Sequence, residues 1–115
     1  MKKAKVIDMV GFPTQLTRFF VALQEKNQRE FKTRYPNNPS PIFALTELDR
    51  FYRIDQKYAS DEKSGRAYAF IDRTNGDIFK PVNSTTPTKR PSGNIFSNDL
   101  GLICCETHGV KRLTS

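Results

Sequence analysis

Hydrophobic and polar positions follow two periods along this 115-residue chain, and each period predicts a different element. Apolar residues first recur three or four positions apart: Leu16, Phe19, Phe20, Leu23, then Asn27 and Phe31. That spacing puts them on one stripe of an amphipathic helix. Gly11-Phe12-Pro13-Thr14 offers a start, because proline is comfortable in a first turn where its missing N–H costs nothing. Pro36 offers the stop by disfavouring helical geometry at Tyr35. The pattern predicts a helix over residues 13–34, preceded by a flexible or strand-like arm at 1–12.

Beyond the Tyr35–Pro39 break the period becomes two. Residues 42–46 predict a short strand, although Thr46-Glu47-Leu48-Asp49 equally suits the opening of a helical turn. Between Phe51 and Tyr58, the residues Tyr52, Ile54 and Tyr58 fall on one side and Arg53, Asp55 and Lys57 on the other. Residues 59–65 read as a polar connection ending at Gly65. Asn75-Gly76 then signals a hairpin, since a type I′ turn needs two central residues that tolerate positive φ. Centring the turn there pairs Thr74 with Asp77, Arg73 with Ile78, Asp72 with Phe79 and Ile71 with Lys80. Ala69, Ile71, Ile78 and Val82 share one face of that ribbon, and Tyr68, Phe70 and Phe79 the other. Neither face is polar, so the ribbon requires cover on both sides.

These elements predict an α+β fold, an N-terminal amphipathic helix packed on a small antiparallel β-meander over residues 42–82. The length suits one domain, 1–115, closed by a loop-rich C-terminal segment at 83–115. Within that segment Asn83–Asn94 is a hydroxyl-rich loop with Lys89 and Arg90 at its centre. Ile95-Phe96 returns to the core as an anchor, and Ser97-Asn98-Asp99 caps a turn. Leu100, Leu102 and Ile103 form a last apolar patch before a basic tail at Lys111-Arg112.

The run Tyr68-Ala-Phe-Ile-Asp-Arg-Thr-Asn-Gly-Asp-Ile-Phe-Lys-Pro81, followed by Pro87, Lys89 and Gly93-Asn94-Ile95-Phe96, resembles a group of small uncharacterised viral proteins, mainly of bacteriophages. The likeness extends from about residue 35 to Val110 and is strongest over residues 68–96. Where that pattern carries Ser-Trp-Lys after the hairpin and Arg before Gly-Asn-Ile, this chain has Asn83-Ser84-Thr85 and Ser92. The resemblance implies a viral origin and brings no activity with it.

Charge narrows the function further. The formal net charge is +7, and residues 1–60 hold 11 Lys/Arg against 6 Asp/Glu. Such an excess points to a polyanion, DNA, RNA or an anionic membrane surface, although it also serves solubility alone. Lys26, Arg29, Lys32 and Arg34, with Tyr35 beside them, line the distal half of the helix, and Lys89 and Arg90 add loop contacts. Cations meet phosphates and exposed aromatics stack bases. The same helix charges also suit a plain solvated face. A contiguous surface through Lys26, Arg29, Lys32, Lys89 and Arg90 is what nucleic-acid binding requires.

Other chemistry is poorly supported. Cys104, Cys105 and His108 carry zinc-type ligands, but adjacent cysteines on a strand splay apart, so two small core residues and one surface histidine fit better. No nucleophile with an orienting third group is legible, so no enzyme and no cofactor are expected. Two cysteines make no disulfide framework, no apolar run approaches the roughly 18 residues of a membrane span, and no signal peptide is evident. The expectation is a phage accessory protein in the host cytoplasm or the virion, binding nucleic acid non-specifically through a basic helix and loop. The alternative is a protein-interaction module that binds a host protein or other virion subunits.

Overall fold

The helical stripe is the first layer. The computed structural model describes residues 3–58 and 61–111, and α1 spans Lys3–Arg34. Phe12, Leu16, Phe19, Leu23, Asn27 and Phe31 are buried along it. The helix therefore begins at Lys3, so residues 3–12 are not a flexible or strand-like arm, and Pro13 sits inside it. Proline in a helix interior removes one hydrogen bond and crowds the preceding turn. Pro13 is itself exposed, and Thr17 Oγ1 donates to the Pro13 carbonyl at 2.9 Å. At the far end Lys32 and Arg34 complement the negative pole of the dipole. The Tyr35 N–H donates to the Phe31 carbonyl at 2.7 Å, and Pro36 follows.

Five antiparallel strands follow and pair in chain order: β1 (Ile42–Glu47), β2 (Phe51–Tyr58), β3 (Asp61–Asp72), β4 (Asp77–Phe79) and β5 (Gly93–Asn94). The arrangement is the expected α+β one. Most of the polar connection expected at 59–65 is strand, since β3 starts at Asp61; residues 59 and 60 lie outside the described residues. The β2–β3 register shifts between Ile54 and Asp55, where Ala69 and then Ala67 are the partners and Tyr68 is left over. Such a bulge interrupts strict alternation. Tyr68 thereby joins Ala69 and Ile71 in the core beneath the helix, instead of sharing a face with Phe70 and Phe79.

The hairpin forms at Asn75-Gly76 with a different turn. Phe70 faces Phe79 and Ile71 faces Ile78, a slip of two residues from the expected pairing. Gly76 has φ +82°, while Asn75 is not left-handed, so the turn is not type I′. Asp72 is the cause. Its carboxylate accepts the Thr74 N–H at 2.8 Å and the Thr74 hydroxyl at 2.6 Å, which starts the reversal early. Because side chains alternate with period two, a slip of two leaves each residue on its expected face. Val82 is an exception: β4 ends at Phe79, and Val82 is 63% exposed.

The main core lies between α1 and the sheet face carrying Ile54, Ile71 and Ile78. On the other face Phe51 packs edge-on against Phe70 and Phe79, with ring centroids 5.7 and 5.8 Å away. The Arg53 guanidinium draws the following loop toward β2 by donating to the Ser84 carbonyl at 3.0 Å. Ile95 is fully buried under Gly76, and Gln15 Nε2 donates to its carbonyl at 2.6 Å. Phe96 remains 42% exposed, with its ring against Phe12. No helix among the described residues is long and apolar enough to cross a membrane.

A Cβ on Gly76 would lie 2.9 Å from Ile95 Cγ1 and from Phe96 Cδ2, on a backbone that L-residues avoid. Gly76→Ala is expected to lower the unfolding free energy by roughly 1–3 kcal/mol in urea titration. Asn75→Ala loses only the bond from the Asp77 N–H to Asn75 Oδ1, at 2.9 Å, and should cost about 1 kcal/mol or less. A turn of type I′ would make the two positions similarly sensitive.

Candidate functional site

A second, very short ribbon closes the chain. A 3-10 turn at Leu102–Cys104 leads into β6 (Cys105–Glu106), which pairs with β7 (Gly109–Val110) around a tip at Thr107 and His108. Strands of two residues satisfy little of their own backbone, and an unmet interior carbonyl is costly. Side chains from the helix and the sheet add donors to this ribbon. Lys26 Nζ donates to the Leu102 carbonyl at 3.0 Å and to that of Cys105. The Tyr68 hydroxyl donates to the Glu106 carbonyl, and Arg66 to that of His108. Asn27 Nδ2 and Gln56 Nε2 converge on the Thr107 carbonyl at 2.9 and 2.8 Å, and Lys80 Nζ reaches that of Val110 at 3.3 Å. Burial, more than any neighbouring charge, raises the Tyr68 pKa and keeps its hydroxyl a donor.

This bracing has an electrostatic consequence. A cation that donates to a neutral carbonyl is held in place without being neutralised. Lys26 is partly offset by Glu30, 3.5 Å away. No ion pair among the described residues takes up Arg34, Arg66, Lys80 or Lys111. All four line two grooves that flank the hairpin tip. The larger, about 520 Å³, lies between the end of α1 and the hairpin and is lined by Arg34, Lys80 and Lys111, with Glu30 and Glu106 as the opposing charges. The smaller, about 410 Å³, lies on the Arg66 side and extends to Ser84. Lys80 and His108 border both.

Aromatic rings cluster at the same tip. The Tyr35 ring is 4.8 Å from that of Phe31 and 6.0 Å from the imidazole of His108. Tyr58 Oη lies 3.1 Å from His108 Nδ1, and Tyr35 Oη lies 3.4 Å from Nε2. His108 and Tyr35 are exposed, so the grooves meet at a small aromatic surface.

Of the residues the sequence nominates, Arg34, Tyr35 and Lys26 reach this region. Lys26 does so as a half-buried brace. Arg29 and Lys32 are exposed and, at 100° per residue, lie on the side of α1 away from its buried stripe. Lys89 and Arg90 are exposed in the loop and line neither groove, so the structure does not gather Lys26, Arg29, Lys32, Lys89 and Arg90 on the one surface expected, and the charges at Arg29, Lys32, Lys89 and Arg90 fit a solubilising role. Much of that loop's polar chemistry is internal: Asn83 Oδ1 accepts from the Thr85 hydroxyl, and Thr88 Oγ1 donates to the Arg90 carbonyl. Arg66, Lys80, Lys111 and His108 are the residues sequence reasoning missed. Arg66 and Lys80 are isolated cations that no local spacing announces; Lys111 is legible only as half of a basic tail whose other half, Arg112, lies outside the described residues, and His108 only as a surface histidine.

Cys104 and Cys105 are free and buried. Cys104 Sγ is 3.2 Å from the Gly101 carbonyl, and the adjacent Cys104 together with burial pushes the Cys105 thiol up. His108 points elsewhere, into the tyrosine pair. Among the described residues no group of three or more His, Cys, Asp or Glu side chains is placed to hold a metal. Asp99 secures the turn before the hairpin: its carboxylate accepts the N–H of Gly101 at 2.9 Å and of Ile103 at 3.0 Å. These bonds, Gly101 foremost, lower its pKa from the ordinary 3.8.

Lys26→Met is expected to destabilise the protein by roughly 1–3 kcal/mol, because two carbonyls lose their donor. Arg29→Met and Lys32→Met, at exposed sites, should stay within about 0.5 kcal/mol in the same denaturation assay. A carboxylate with a depressed folded pKa contributes stability above its unfolded value and loses it as pH falls through the folded one. The thermal midpoint of Asp99→Asn should therefore lie below that of the wild type at neutral pH. The gap should close only under acid conditions below the ordinary value of 3.8.

No curated protein and no solved structure matches the chain. A family profile does match, over residues 2–110, and the chain belongs to that family, the family of unknown function DUF7717.

Proposed function

We propose that this member of DUF7717 is a small phage accessory protein that binds nucleic acid without reading its sequence. The grooves on either side of the C-terminal hairpin would receive the sugar-phosphate backbone. One observation carries the reading: Arg34, Arg66, Lys80 and Lys111, distant in sequence, gather at one tip with no ion-pair partner among the described residues. Phosphate neutralisation needs charges that are fixed in place and not already cancelled. Bonds to neutral carbonyls provide both conditions for Arg66 and Lys80. The helix contributes its last turn, through Arg34, where the sequence alone favours its whole distal half. The phage assignment rests on the resemblance around the first hairpin, with the host cytoplasm as the working compartment. The chemistry is that of a binder, with no catalytic step.

A second reading has its own observation. β1 is an outer strand and exposes Ile42 and Leu45, by 61% and 42%. An apolar, unpaired strand edge suits a protein partner, such as a host protein or another virion subunit.

Fluorescence anisotropy with labelled oligonucleotides separates the two. Affinity should fall steeply between about 50 and 200 mM salt, with a log–log slope of about −0.7 per phosphate neutralised on a single strand and −0.9 on duplex. Arg34→Glu with Lys111→Glu should weaken binding roughly tenfold or more with an unchanged circular dichroism spectrum. Lys89→Glu with Arg90→Glu should change it little. No binding at low salt would end this proposal, and a nuclease-resistant complex lost on Ile42→Lys with Leu45→Lys would favour the second reading.

A further inference from the structure

Resting on the nucleic-acid reading, we propose that the ligand is single-stranded and that one unstacked base lies against the imidazole of His108. The hydrogen bonds around this ring leave it little else to offer. Gln56 Nε2 donates to the Thr107 carbonyl at 2.8 Å, so Gln56 Oε1 is the acceptor for the Tyr58 hydroxyl at 3.3 Å. In one tautomer the Tyr58 oxygen accepts from Nδ1–H of His108, 3.1 Å away, and in the other the Tyr58 hydroxyl donates to Nδ1 instead. Correspondingly, Nε2 accepts from the Tyr35 hydroxyl or its N–H donates to the Tyr35 oxygen, 3.4 Å away. Both ring nitrogens are thus used within the protein. What the exposed ring presents to a ligand is its π surface, which accepts any base because every base has a π face.

The ring is also held in position. Arg66 donates to the His108 carbonyl, and the Phe31 ring meets the imidazole edge-on at 6.3 Å. A surface already fixed in place loses little conformational entropy when a base stacks on it. The exposed Tyr35 ring, inclined at 60° to the imidazole, adds a second aromatic surface beside it. Phosphate partners lie on both sides, Arg34 and Lys111 in one groove and Arg66 in the other, so a strand crossing the tip would place a base at its midpoint. A duplex keeps its bases sealed in the stack and has none to lay there.

The test compares three probes by anisotropy at one low salt concentration: oligothymidylate, an abasic deoxyribose-phosphate strand of equal length, and the oligothymidylate–oligoadenylate duplex. Wild type should bind oligothymidylate about tenfold more tightly than the abasic strand, the scale of one stacked base. It should bind the duplex more weakly than oligothymidylate. His108→Ala should lose the preference for bases while keeping its affinity for the abasic strand, and His108→Phe, which keeps a ring, should retain the preference. Should His108→Ala not fold, the comparison of probes on wild type and His108→Phe decides. Equal affinity for thymidine and abasic strands, or a duplex bound at least as tightly, would overturn the inference and leave non-specific binding standing. Failure to bind any of the three would overturn both.

Discussion

A backbone carbonyl turned toward the protein needs a donor, and residues 102–110 present a series of them to side chains of the helix and sheet. Most of what is particular to this protein follows from how they are met. β6 and β7 are too short to pair their way out of the problem, so donors come from elsewhere: Lys26 and Asn27 on the helix, Gln56, Arg66 and Tyr68 on the strands, and Lys80 just after β4. The hairpin is held by side chains more than by its own ladder. The solution is not complete, since buried Asn27 Oδ1 meets no donor among the described residues. Asn27 occupies a position on the helical stripe where an apolar residue would otherwise sit, and its amide is used on the Thr107 carbonyl.

The same bonds shape the surface. Where lysine and arginine are recruited as donors, their charge accompanies them, and a neutral acceptor leaves that charge intact. A structural requirement of the last ribbon thus concentrates positive potential around it. The proposed ligand site needs no separate explanation for the placement of Arg66 and Lys80. Only Arg34 and Lys111 stand outside the bracing scheme, and both line the larger groove.

How much of this the sequence discloses depends on the range of the interaction. The helical stripe was legible because Leu16, Phe19, Leu23 and Phe31 repeat a local period. β2 was legible because Tyr52, Ile54 and Tyr58 alternate with charges. The first hairpin was legible in place and not in register, since the Asp72 carboxylate binds the turn backbone and competes with the Asn75-Gly76 preference. The helix start was misplaced because a proline that normally marks a first turn is tolerated on an exposed face. β6 and β7 have no periodicity to detect. The candidate site shares that fate: Arg34 and Tyr35 were visible at the end of a helix, but Arg66, Lys80 and Lys111 become neighbours only through contacts across the fold.

The order of the strands in space repeats their order in the chain, so the five-stranded sheet assembles from neighbours through short-range contacts. The C-terminal ribbon is different: the bonds from Lys26 and Asn27 span 76 to 80 residues. The entropy of bringing distant parts of the polymer together therefore falls largely on one docking event, which needs helix and sheet already in place. Docking of the ribbon and creation of the positive tip are then one and the same event.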